Sequence, residues 1–187
     1  MEESQRAICI YGASSSNIDP RFMDDAFETG RLIALAGYAL VSGGGRGGLM
    51  AAAIEGALSV GGHTIGVLPQ FMIEREWQHP QLSRLIVTES MHERKHTMAR
   101  LSAGVIALPG GIGTLEELME IITWRQLGLY AGKVSVLNTL GYYDPLLQML
   151  THSAECGFMR RSAQSRLYEV ATTPQAAVEL VTTIEEL

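Results

Sequence analysis

Residues 104–114 read Gly-Val-Ile-Ala-Leu-Pro-Gly-Gly-Ile-Gly-Thr, an apolar run that leads directly into a glycine-rich turn. The run is apolar at consecutive positions, which is typical of a strand that is covered on both faces in a parallel sheet. An amphipathic segment follows at 114–129 and is predicted to be helical. Strand, glycine turn and helix in this order predict one unit of an α/β fold.

The same unit recurs, because short apolar runs alternate with amphipathic segments along the whole chain. We therefore expect residues 1–187 to form a single doubly wound, Rossmann-like α/β domain, with a mostly parallel sheet and helices on both faces. The segment 70–84 is the least regular and is predicted to be a lid or an active-site loop. Strands are predicted at 7–11, 38–41, 64–68, 85–88, 104–108, 134–137 and 167–170, and helices at 20–36, 49–60, 91–103, 114–129, 143–156 and 174–186.

The composition limits the classes of protein and partner. Of the 187 residues, 47% are apolar and 18% charged, which indicates a globular protein. No apolar run approaches the roughly 18–20 residues that span a bilayer, and residues 1–5 show no signal-peptide features. Cys9 and Cys156, the only cysteines, form no CxxC pair, which favours a cytoplasmic location. The net charge of −6 repels nucleic-acid phosphates, so neither a membrane nor a nucleic acid is an expected partner.

Three predicted turns, at 12–17, 42–48 and 109–114, follow strands and carry glycine or hydroxyl residues. In open α/β sheets, ligands bind at the carboxyl ends of the strands. Glycine lets the backbone approach an anion, and a helix N-terminus adds partial positive charge. We therefore predict that the two glycine-rich turns, at 42–48 and 109–114, hold a phosphate group. The alternative is tight strand-to-helix packing that requires glycine.

The turn at 43–48 matches the pattern G-x-G-x-x-G, yet it does not indicate a dinucleotide. It follows the second predicted strand, whereas the dinucleotide-binding motif follows the first. The next strand ends Gly-Val-Leu-Pro at 66–69, without the acidic residue that would bind a ribose. A mononucleotide phosphate is therefore the favoured ligand.

Glu117 has two interpretations. In Thr114-Leu115-Glu116-Glu117, Thr114 is a candidate N-cap and Glu117 the returning residue of a capping box. Alternatively, Glu117 lies beside the phosphate loop and faces the sugar of the ligand, where a carboxylate stabilises positive charge, attacks the ribosyl carbon or activates water.

Arg94 and Lys95 are predicted near a helix N-terminus, against the usual preference of basic residues for the C-terminal end. They form either a solvated helix face or a contact with an anionic or purine ligand. His92 and His96 have the spacing of a metal-binding pair but no nearby third ligand, so no metal is expected. Ser14 to Ser16 have no His/Asp partner pattern, which disfavours a hydrolase triad.

Taken together, these motifs resemble those of the LOG (Lonely Guy) family of cytokinin-activating phosphoribohydrolases, once described as lysine decarboxylases. The family signature P-G-G-x-G-T-x-x-E is complete at 109–117, G-G-G-x-x-G-L-M lies at 43–50 and M-H-x-R-K at 91–95. The resemblance extends over about residues 8–160. Residues 11–15 and Ser42 depart from the family's usual Cys-Gly-Ser-Ser and Tyr at these places.

The resemblance implies hydrolysis of the N-glycosidic bond of a purine nucleoside 5′-monophosphate, either AMP or an N6-modified AMP, without a cofactor. It makes Arg94 and Glu117 the catalytic pair. It also implies a homodimer or larger homo-oligomer with the pocket near the subunit interface. The residues expected to bind phosphate or substrate are Gly12, Ser14, Ser15, Gly43, Gly44, Gly45, Gly48, Met91, Lys95, Pro109, Gly110, Gly111, Gly113 and Thr114.

Two other functions remain open, namely a carrier protein for a phosphorylated ligand such as molybdenum cofactor and a regulator that binds a nucleotide without turnover. Apolar residues on the helices predicted at 91–103 and 115–129 indicate either a subunit contact or ordinary core packing. These residues are Met91, Met98, Met119, Ile122, Trp124 and Leu127.

Overall fold

The computed structural model describes residues 6–159 and 167–183 and contains a seven-stranded sheet. The strands lie in the order β4-β3-β2-β1-β5-β6-β7, and every neighbouring pair is parallel. The predicted α/β class is confirmed, and the sheet is parallel throughout. The strands are β1 Ala7–Tyr11, β2 Ala39–Ser42, β3 Thr64–Pro69, β4 Arg84–Thr88, β5 Ser102–Ala107, β6 Lys133–Leu137 and β7 Glu169–Ala171.

Helices cover both faces of the sheet, as the buried strands require. One face carries the core around Met98, Leu118 and Ile121 of α4 and α5, and the other the core around Ile33, Ile54 and Val178. No helix in the described residues is both long and apolar enough to cross a bilayer. The helices are α1 Pro20–Leu35, α2 Gly48–Ser59, α3 Gln70–Ile73, α4 Met91–Leu101, α5 Ile112–Gln126, α6 Asp144–Glu155 and α7 Pro174–Thr182, with a 3₁₀ turn at Thr139–Gly141.

Most predicted boundaries differ from the structure by one to three residues. The largest functional consequence is at α5, which begins at Ile112 and not at Thr114. The segment 70–84 is not entirely irregular, because it contains the short α3. The last helix was predicted to end at residue 186, which lies outside the described residues. The expectation about a signal peptide concerns residues 1–5, which also lie outside them.

The order of the strands decides where a ligand can bind. From β1 the chain proceeds outward through β2, β3 and β4, then returns to place β5 on the other side of β1. A crevice opens at such a switch point, beyond the carboxyl ends of the strands. The turns after β1, β2 and β5 all reach this edge, which brings the three predicted ligand-binding turns together.

Candidate active site

The three turns are joined by backbone hydrogen bonds. The Ala13 N–H donates to the Pro109 carbonyl at 3.1 Å, and the Ala13 carbonyl accepts from the Leu49 N–H at 2.8 Å. The Gly48 N–H donates to Ser16 Oγ at 3.1 Å. The turn after β1 therefore connects the other two and holds them at a fixed separation.

The two glycine-turn helices differ in how their first amides are used. At α2 the amides of Gly48 and Leu49 are already paired with the turn after β1. At α5 the N-cap is Gly111, and no side chain in the part of the chain that the structure describes caps the helix. The first amides of a helix lack intrahelical partners, so α5 presents open N–H donors and the positive end of its dipole to the crevice.

Two tyrosine hydroxyls donate hydrogen bonds to the backbone at the turn 109–111. Tyr143 Oη donates to the Leu108 carbonyl at 2.6 Å, and Tyr142 Oη donates to the Gly110 carbonyl at 2.5 Å. A side chain at Gly110 would place its Cβ 2.1 Å from Thr114 Oγ1, so only glycine fits there. The tight turn and its two anchors set the direction of α5.

Helix α4 begins at a capping arrangement within Ser90-Met91-His92-Glu93 that the sequence analysis overlooked. Ser90 Oγ accepts from the Glu93 N–H at 3.1 Å, and Glu93 Oε2 accepts from the Glu89 N–H at 2.8 Å. The Ser-x-x-Glu spacing is the available sequence signal for this start. It determines which face of α4 carries Arg94 and Lys95.

Arg94 and Glu117 form a buried ion pair that joins α4 to α5. Arg94 Nη1 donates to Glu117 Oε1 at 3.1 Å, and its Nε donates to the Val67 carbonyl at 3.0 Å. A Cβ at Gly43 would lie 2.0 Å from Arg94 Nη2, so this glycine leaves room for the guanidinium. Two hydrogen bonds and the close packing of Gly43 fix the orientation of the Arg94 fork.

The environment of Glu117 opposes its ionisation in part. Burial raises the pKa of this carboxyl above the ordinary glutamate value, while the charge of Arg94 acts in the opposite direction. A carboxylate with a raised pKa beside a fixed cation in a cleft is typical of a functional site.

The structure contradicts two of the interpretations given above, namely a capping box at Glu117 and a solvated helix face at Arg94 and Lys95. Because α5 starts at Ile112, Thr114 lies inside the helix and Glu117 is too far along it to close a capping box. Arg94 is 7% exposed and Lys95 6%, so they do not form a solvated face.

The ion pair lies in a pocket of about 760 Å³ at the switch point. The first turn of α5 lines the pocket, together with an apolar wall whose side chains come from α2, β3, the segment 70–84 and α4. Trp77 and Met72 of this wall belong to the segment 70–84, which is tied to the glycine turn because the Arg46 N–H donates to the Trp77 carbonyl at 2.9 Å. The apolar wall is Met50, Leu68, Met72, Trp77 and Met91.

The pocket brings together most, but not all, of the expected site residues. Gly44 and Gly48 lie outside the lining and have positive φ, so they shape the turn after β2. Pro109 and Gly110 shape the turn after β5, and Lys95 contacts Glu116 and Glu120 instead of the pocket. The expected residues that line it are Gly12, Ser14, Ser15, Gly43, Gly45, Met91, Arg94, Gly111, Gly113, Thr114 and Glu117.

Sequence reasoning did not assign several other lining residues. Met72 and Trp77 fall in the segment predicted to be a lid or active-site loop, which was a usable signal. Nothing in the local sequence marks Leu68, at the end of a buried strand. The unassigned lining residues are Ala13, Arg46, Gly47, Met50, Leu68, Met72, Trp77 and Ile112.

The apolar residues considered for a subunit contact divide into three groups, and Met91, which is 37% exposed and lines the pocket, forms the first. Met98 and Ile122 are buried in the core, and Met119 and Trp124 pack against it, as ordinary core packing predicts. Leu127 is 64% exposed and remains available for a contact. Within residues 6–159 and 167–183, no cluster of three or more His, Cys, Asp or Glu is arranged to hold a metal ion.

The parallel sheet and the glycine-turn pocket at its switch point define a Rossmann-like ligand-binding protein. The sequence model of the family described as "Possible lysine decarboxylase" matches residues 50–181. The chain belongs to this family, and within it to the LOG group of cytokinin riboside 5′-monophosphate phosphoribohydrolases.

Two rice (Oryza sativa subsp. japonica) proteins are among the most similar relatives. The probable cytokinin riboside 5′-monophosphate phosphoribohydrolase LOGL2 is 40% identical over 93% of this chain and 71% of its own. The cytokinin riboside 5′-monophosphate phosphoribohydrolase LOG is 39% identical over 97% of this chain and 73% of its own. Among solved structures, the molybdenum cofactor binding protein of Rippkaea orientalis has a TM-score of 0.72 and 26% identity over 95% of both chains.

Proposed function

We propose that this protein hydrolyses the N-glycosidic bond of a purine nucleoside 5′-monophosphate and releases the free base and ribose 5-phosphate. The observation that carries the proposal is the buried Arg94–Glu117 ion pair in a pocket that is also lined by the first turn of α5 and by an apolar wall. Membership of the LOG family supports the same reaction.

The 5′-phosphate binds at the N-terminus of α5 in this proposal. Gly111, Gly113 and Thr114 line the pocket there, and the amides of the first helical turn are free to donate to phosphate oxygens. Ser14 and Ser15 line the pocket on the adjoining turn and supply hydroxyl donors. No cofactor is required for this binding.

Glu117 acts at the sugar. As the bond between C1′ and the base nitrogen breaks, its electron pair leaves with the base and positive charge develops on the ribosyl carbon. The hydrogen bond to Arg94 engages Oε1 of Glu117, and the carboxylate stabilises the developing charge in a site of low polarity. Water supplies the oxygen that joins C1′, and its proton passes to the departing base.

Arg94 and the apolar wall orient the substrate. Arg94 keeps Glu117 in place and assists the departing purine, while Trp77 and Met72 provide apolar and aromatic surface for a flat base. A modified adenine with an apolar N6 substituent suits the same wall, which supports a cytokinin-type substrate beside AMP.

A carrier function is the second candidate, because the Rippkaea orientalis molybdenum cofactor binding protein shares the fold over 95% of both chains. A carrier would use the α5 amides for a phosphorylated ligand and would need no charged pair at the sugar position. The ion pair therefore favours the enzyme.

Incubation of the purified protein with AMP, followed by assay of adenine and ribose 5-phosphate in equal amounts, tests the proposal. The same assay with an N6-prenylated AMP compares the two kinds of base. Binding of both nucleotides without release of base would contradict the enzyme and favour the carrier or a nucleotide-sensing regulator.

A further inference from the structure

A second ion-pair cluster lies directly beside the Arg94–Glu117 pair and outside the pocket lining. Lys95 Nζ contacts a carboxylate oxygen of Glu116 and lies 3.1 Å from Glu120 Oε2. Consecutive residues of α4 thus pair with consecutive residues of α5, Arg94 with Glu117 and Lys95 with Glu116. The two pairs are coupled, because their members are adjacent residues on each of the two helices.

Lys95 is more deeply buried than a lysine in a surface salt bridge needs to be. Its side chain is 8% exposed, whereas the side chain of Glu116 is 52% exposed. Removing an ammonium group from water is unfavourable unless it is paired. Burial alone would lower the pKa of Lys95, but the hydrogen bonds to Glu116 and Glu120 outweigh it, and the net change is a raised pKa. Lys95 therefore keeps its positive charge, and this charge acts to lower the pKa of Glu117.

We propose that Lys95 is a positioning residue for the reaction, whose ammonium, held by Glu116 and Glu120, keeps the Glu117 carboxylate ionised and aligned with Arg94. This role rests on the proposed function and replaces the direct substrate contact expected from the sequence.

The charges around Glu117 support this role from every packed element. Arg94 and Lys95 on α4 favour its charged form, and Glu116 on its own helix disfavours it. Burial raises the pKa of Cys9 and Tyr11 on β1 and of Tyr143, so these groups stay neutral near neutral pH. Burial makes the largest contribution and raises the pKa of Glu117; among the neighbouring charges, the cations of α4 oppose this rise and Glu116 adds to it.

Two substitutions that break the same ion pair separate this role from a structural one. Lys95→Met removes the positive charge, so the acid limb of the pH profile of kcat/KM should move to higher pH. Glu116→Gln removes a negative charge and leaves Lys95 held by Glu120, so the limb should move downward. Lys95→Arg keeps the positive charge, so its pH profile should match that of the wild type. Shifts of the same sign, or none, would overturn the proposal.

A second measurement works without turnover. The carboxyl carbon of Glu117, identified by its absence in Glu117→Gln, is titrated by NMR in ¹³C-glutamate-labelled protein. The Glu117 midpoint should rise in Lys95→Met and fall in Glu116→Gln, and an unchanged midpoint in both would refute the role. If Lys95→Met does not fold, Glu116→Gln and Lys95→Arg still decide. A wild type that fails to cleave any nucleoside monophosphate contradicts the proposed function alone.

Discussion

Arg94 and Glu117, 23 positions apart, meet at 3.1 Å and join the helix that follows β4 to the helix that follows β5. The pair spans the β1–β5 switch point of the sheet, where ligands bind in doubly wound folds. Arg94 is also fixed by the Val67 carbonyl at the end of β3. The proposed catalysis depends on this relationship.

Glu117→Gln should abolish turnover and leave folding and AMP binding intact. The amide keeps the size of the side chain and a hydrogen-bonding oxygen for Arg94, but it lacks the negative charge that opposes the developing cation. By analogy with the removal of one oxyanion-hole donor, the rate should fall by roughly a hundred- to a thousandfold. Steady-state kinetics with a thermal melt and a binding isotherm measure this.

Glu116→Gln is the matched control for that variant. It removes the neighbouring carboxylate, which contacts Lys95 and does not line the pocket. At pH values above the acid limb, its activity should therefore stay near the wild-type value. A Glu117→Gln enzyme that keeps more than a tenth of the wild-type rate would refute the catalytic role. Equal loss in Glu116→Gln would mean that the chemistry uses the other carboxylate.

The 5′-phosphate should be indispensable. The α5 amides contribute to binding only when an anion accepts their hydrogen bonds, so AMP should be cleaved and adenosine should not. The release of adenine from AMP and from adenosine, supplied at equal concentrations and followed by chromatography, checks this. Comparable rates would contradict the assignment of the α5 N-terminus.

The pH profile should show an acid limb above the ordinary glutamate range. Burial raises the pKa of Glu117, so the carboxylate is lost as the pH falls through a midpoint higher than the usual value of about 4.3. Activity that requires the charged form is complete above this midpoint and declines below it. Initial rates of AMP cleavage between pH 4 and 8, with a thermal melt at each pH, separate this titration from unfolding, and a midpoint at the ordinary value would contradict the prediction.

Gly56→Ala should destabilise the fold, because α1 and α2 cross at backbone contact. An added Cβ at Gly56 would lie 1.9 Å from the Phe27 carbonyl oxygen, and one at Gly30 would lie 1.9 Å from the Ala53 carbonyl oxygen. Forcing the helices apart should cost at least about 1–3 kcal/mol of unfolding free energy. Gly113→Ala, inside α5, is the control for denaturant unfolding, since its Cβ would meet none of the described residues within 4 Å. Equal loss of stability in both variants, or none in either, would contradict the close crossing.

Light scattering at micromolar concentration should show a dimer or a larger assembly. Leu127, 64% exposed directly after α5, is the most exposed residue of the predicted contact. Leu127→Glu should shift the population toward monomer, because an interfacial charge is costly to bury. Leu35→Glu on α1, at a site 58% exposed, is the matched control. A monomeric wild type would rule the dimer out.

The fold class could be predicted because it depends on local patterns. Strands such as Val105 to Ala107 are apolar at every position and are buried on both faces, and glycine turns follow them at the expected edge. The ends of elements were less accurate because capping depends on partners distant in sequence. Thr114 is a good N-cap by type, yet α5 starts earlier, at a turn that Tyr142 and Tyr143 hold in place.

The sequence by itself determined the α/β class with a mostly parallel sheet, and it predicted the edge of the sheet where a ligand is expected and, through the family resemblance, the two charged residues of the proposed chemistry. Tertiary structure decided which groups are free to act. It paired the α2 amides with Ala13 and Ser16 and left those of α5 open. It also directed Lys95 toward Glu116 and away from the pocket. The physical reason is that residue type and spacing specify local conformation, whereas charge pairing and hydrogen-bond partners depend on which distant segments the sheet order brings into contact.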